Sequence, residues 1–175
     1  MGRAARIAPR NLYGYPDMVE KLEWAEAVLL CGLREWVGDL RRNADPMPRL
    51  HVRMTHAGVP LAAASLDMFL RIVARTADRP LGIGCPHCPW LATDEQQLLH
   101  IAWLVQDHQT RLAGGVLRSG LLSEIGAEFA LGPLRGMGEL FLAAGLAFTP
   151  RRLVGPSNVV GAGSMSWPPT LTTRH

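Results

Sequence analysis

Five of the fourteen residues at positions 78–91 are proline or glycine, and this stretch separates two long regions of helical patterning. Proline lacks the backbone N–H that a helix or central strand needs, and glycine weakens both, so 78–91 is not the interior of a regular element. The chain must therefore fold as two sets of helices joined by an irregular knuckle. At most, residues 81–83 pair briefly as strand.

On the N-terminal side, Met18, Leu22, Ala25, Leu29, Leu33, Trp36 and Leu40 recur at three- and four-residue spacing behind Asp17 and Glu20, which predicts a capped helix over 18–42. Trp24, Ala27, Val28 and Cys31 form a second, smaller apolar face on that helix, which predicts cover from another helix or from a second copy in a homodimer. A break at 43–46 precedes a short helix over 48–57. Gly58 ends it, and Pro60 opens a further helix to about 77 with Leu61, Leu66, Phe69, Leu70 and Val73 facing the core. Beyond the knuckle, Thr93 with Gln96 reads as a capping box for a central helix over 94–112. Its main stripe is Leu98, Ile101, Ala102, Val105 and Leu112, and Gln96, His100 and Asp107 make the remaining polar strip. From Gly114 the pattern gives shorter helices, interrupted at Gly120 and at Gly132-Pro133.

The fold class read from these patterns is all-α: one compact multi-helix domain over 16–149, a basic arm over 1–15 bearing Arg3, Arg6 and Arg10, and a Pro/Gly/Ser-rich tail over 150–175. A chain of 175 residues suits one domain burying about 70% of its unfolded-state surface. The 48% hydrophobic and 19% charged content excludes a wholly disordered chain. No apolar run reaches the length of a membrane span, and no signal peptide opens the sequence. Three cysteines do not make a disulfide scaffold, which places the chain in a reducing, cytoplasmic setting. The net charge of +3 rests on arginine, with Lys21 the one lysine among 18 basic residues, a bias that reflects composition as much as phosphate binding.

The sharpest chemical signal is Gly84-Cys85-Pro86-His87-Cys88-Pro89. A Cys-x-x-Cys turn places two thiolates about 2.3 Å from one tetrahedral zinc, and thiolate ligands favour zinc over calcium or magnesium. The remaining ligands must come from elsewhere. His100 would lie about 9 Å along its helix from Asp94 at ~1.5 Å per residue, and the five steps from Cys88 to Thr93 span up to ~17 Å. The knuckle can thus fold back on His100, so Cys85, Cys88 and His100 are the predicted metal ligands. His51, His56, Cys31, His87 or a water supplies the fourth. No catalytic base is evident.

Cys85-Pro86-His87-Cys88 also resembles the active-site motif of thiol-disulfide oxidoreductases of the DsbA type, over four residues. That resemblance implies a helix opening at the cysteines, where Pro89 would fall in its second turn and remove a backbone bond. Residues 57–60 between two short helices resemble the turn of helix-turn-helix DNA-binding modules. That likeness implies that the following helix reads bases, although it opens Leu61-Ala62-Ala63-Ala64 with few donors, leaving Arg71 and Arg75 for phosphates. The Glu-x-x-His pairs of di-iron bundles, a phosphate loop and a nucleophile elbow are all missing. The function expected from the sequence is a small zinc-binding helical adaptor or regulatory protein acting by protein association. A DNA-binding regulator over 48–77 and an oxidoreductase are the alternatives.

Overall fold

The computed structural model describes residues 13–151. Of the arm assigned from sequence to 1–15 and the tail assigned to 150–175, residues 1–12 and 152–175 lie outside the described residues. Among the described residues the protein is all-helical. A 3-10 turn, Val19–Lys21, leads into α1 (Trp24–Arg41), α2 (Met47–His56), α3 (Ala62–Thr76), α4 (Thr93–Gln106), α5 (Thr110–Arg118) and α6 (Glu124–Ala143). No helix among them is long and apolar enough to cross a membrane.

Two layers share one core. α3 packs along α6, and α4 sits against α1, α5 and α6. Leu66, Leu99, Ile101, Leu117, Met137 and Phe141 are fully buried between them. The predicted α3 stripe is confirmed at Leu66, Phe69, Leu70 and Val73, but Leu61 is exposed because the helix starts one residue beyond it.

Three boundaries differ from the sequence reading. The first helix begins at Trp24, where Glu23 and Glu26 make the capping box, and residues 17–19 instead run beside the knuckle: Val19 N–H donates to the Pro89 carbonyl at 2.9 Å and Leu91 N–H to Asp17 at 3.0 Å. The helix predicted over 94–112 divides, because Asp107 caps α4 and His108 takes a φ of 59°, a turn that leaves Leu112 exposed on α5. Conversely, Gly132-Pro133 does not break α6. Proline costs an interior helix one hydrogen bond and a clash with the carbonyl four residues back. Glycine at 132 removes the Cβ part of the clash with the preceding residue, and the helix continues through the pair. Residues 81–83 form no strand. Ile83 N–H turns back to the Leu81 carbonyl at 3.1 Å.

Tyr13 and Tyr15, which the sequence assigned to the arm, are buried. Tyr13 stacks on His100 of α4 with ring centroids 4.5 Å apart. Arg151 lies 4.9 Å over the Tyr15 ring and pairs with the buried Glu26 at 2.8 Å. Both ends of the described chain are thus drawn onto α1 and α4.

Candidate functional site

The knuckle at 78–92 has no regular structure of its own, so its backbone polar groups must find partners elsewhere. The first turn of α4 provides many of them. Asp94 accepts from Arg79 Nη1 at 2.8 Å, from Arg79 Nη2 at 2.6 Å and from the Gly82 N–H at 2.6 Å. Glu95, fully buried, accepts from the Gly84 N–H at 3.0 Å and from the Ala92 N–H at 2.8 Å. Its charge is met by Arg34 of α1, bidentate at 2.7 and 2.8 Å. Arg34 then donates onward to the carbonyls of Cys88 at 2.6 Å and Trp90 at 2.7 Å.

One buried ion pair therefore grips the cysteine turn from both sides, at Gly84 ahead of it and at Cys88 and Trp90 behind. A Cβ at position 84 would stand 3.0 Å from Arg34 Nη2, so any side chain there would press on the guanidinium. Burial pulls the Arg34 guanidinium down from its ordinary pKa, but the Glu95 hydrogen bond and charge outweigh it and the net direction is up. The Asp94 carboxyl is held below the ordinary range, first by the Arg79 hydrogen bond and then, against desolvation, by the Gly82 N–H. Both carboxylates also sit at the positive end of the α4 dipole.

Within the clamp, Cys88 N–H donates to the Cys85 carbonyl at 3.0 Å, closing a turn with Pro86 at its second position. Cys85 is exposed, Cys88 half-buried, and both are free thiols, as is Cys31. His87 and the flanking Pro86 and Pro89 are exposed, and Trp90 is 44% exposed beside them. α4 begins five residues beyond Cys88, so no helix opens at the cysteines as the oxidoreductase likeness implied.

His100 is placed differently. It is buried between Tyr13 and Trp103, whose ring centroids lie 4.5 and 5.3 Å away, and among the described residues its Nδ1 has no hydrogen-bond partner. Burial alone lowers its pKa. Among the described residues, no three His, Cys, Asp or Glu side chains are gathered as a group able to hold a metal ion. The structure brings Cys85 and Cys88 into one turn and sets His100 in an aromatic layer. The residues that fix the knuckle, Arg34 and Glu95, were not singled out by sequence reading. Their signal was faint: an arginine directly after a buried leucine, and a glutamate as the third residue of a helix.

Elsewhere, an open apolar cleft of about 510 Å³ runs between α1, α3 and the start of the knuckle, lined by Trp36, Leu40, Val73, Leu81, Ile83 and Leu98 among others. α2 and α3 are the two helices expected over 48–77, and Arg71 is engaged by Asp67 at 2.8 Å. Comparison with protein-family models, with curated proteins and with solved structures finds no match.

Proposed function

We propose that this chain is a small zinc-binding helical adaptor, working in a reducing compartment such as the cytoplasm through association with a protein partner. The observation that carries the reading is the clamped turn. Two reduced thiols at Cys-x-x-Cys spacing stand at the surface on a backbone held by a buried ion pair. A ligand pair already fixed in its turn loses less conformational freedom on binding an ion, which raises affinity. Thiolate is also the donor that zinc takes in its structural sites. In this reading Cys85 and Cys88 hold the ion and the helices present it. His100, proposed from sequence as a third ligand, stacks on Tyr13 in the core. Three unpaired cysteines fit a reducing setting.

Metal analysis of the full chain, purified with its thiols reduced, tests this directly. Zinc retained through dialysis and released on Cys85→Ser is the expected result. Less than about a tenth of an equivalent of zinc, with both thiols freely reactive, overturns the proposal, because a thiolate site at neutral pH holds zinc by about 10 kcal/mol or more.

A further inference from the structure

We propose that the turn is half of a shared site: one zinc ion bound by four thiolates, Cys85 and Cys88 from each of two copies of this chain. The inference rests on the zinc reading above and adds where the other ligands come from.

The described fold gathers no third ligand beside the two thiols, and a structural zinc site is closed by four. The turn is also exposed. Cys85, Pro86, His87 and Pro89 face solvent, and Trp90 is 44% exposed next to them. A second chain can therefore approach the metal directly, and the prolines and Trp90 form an apolar collar that the approach would cover.

A second copy is the partner that this geometry fits. A tetrahedron has two-fold axes that pass through its centre and exchange its ligands in pairs. Two identical Cys-x-x-Cys turns related by such an axis complete a Cys₄ set with no further residue, in the self-complementary arrangement of a two-fold dimer. A single chain cannot do this, since it has only three cysteines and Cys31 sits on α1. Each thiol gives up its proton to solvent as the zinc–sulfur bond forms, so four protons leave per ion. The clamp holds the backbone of each turn before the copies meet.

The test is a titration of the reduced, metal-free full chain with zinc chloride, followed by sedimentation velocity, with cobalt(II) as a spectroscopic substitute. Saturation at one ion per two chains is expected, with a doubling of mass that chelator reverses and a cobalt spectrum of tetrahedral thiolate ligation. Cys85→Ser and Cys88→Ser, each checked by circular dichroism for an intact fold, should lose both ion and dimer. His100→Ala should keep both. Saturation at one ion per chain without a change of mass overturns the shared site while leaving the zinc adaptor standing. A loss of binding on His100→Ala overturns it in favour of a site within one chain. Absence of zinc uptake removes both proposals together.

Discussion

Helix α4 carries two polar pairs within its first two turns, and they are treated in opposite ways. Asp94 and Glu95 are buried with multiple partners each: an arginine fork for both, one knuckle N–H on Asp94 and two on Glu95. Gln96 and His100, four residues apart on the same helix, are equally buried, yet among the described residues neither amide atom of Gln96 nor Nδ1 of His100 has a hydrogen-bond partner. The first pair organises an irregular loop. His100 of the second pair lies under Tyr13, and these buried polar atoms carry a desolvation cost without a matching bond among the described residues. A polar residue in a core is a fastening only where the backbone around it supplies donors.

The largest effect that separates the two should come from the fastening. Arg34→Met leaves Glu95 as a buried, uncompensated charge and frees the carbonyls of Cys88 and Trp90, and breaking such a pair costs about 3–5 kcal/mol. Denaturant unfolding should show that loss. Hydrogen exchange should show faster opening at Gly84 and Ala92, whose amides depend on Glu95. A variant within about 0.5 kcal/mol of the parent, with those amides still protected, would break the comparison by showing that the pair does not hold the knuckle.

Gln96→Met should move stability the other way. It keeps the length of the side chain and removes two polar atoms that bond to nothing, so a gain of about 1 kcal/mol in unfolding free energy is expected. A loss of similar size would put Gln96 in the same class as Glu95, its amide bonded through an internal water.

The contrast also explains what was legible in the sequence. Apolar spacing placed the helices and most of the core, because burial of a helical stripe is a local pattern. It misplaced the division at Asp107-His108, where a histidine rather than a glycine takes the positive φ, and it overrated Pro133, which lies inside α6. The two cysteines were readable because turn spacing is local as well. Arg34 and Glu95 are 61 residues apart, and nothing near either one announces the other. His100 looked like part of a solvated strip because Gln96 and Asp107 share its face. What buries it is Tyr13, a residue from a segment whose basic composition reads as an arm.

The smallest effect is a pH dependence at that same histidine. Its folded pKa lies below the ordinary value of 6.5 because burial disfavours the imidazolium. The unfolded chain therefore takes up a proton before the folded one does. Stability from this group is fully present above about pH 6.5 and falls as the pH drops from there to the lowered folded pKa, where the loss levels off. His100→Phe preserves a ring for Tyr13 to stack on and removes the titrating group, so its stability should be flat across that window where the parent slopes. Urea midpoints at pH 7.5, 6.5 and 5.5, values about one unit apart around the histidine range, read the difference. Equal slopes in the two proteins would mean that His100 titrates as it does in water, and that the aromatic layer over α4 is open rather than closed.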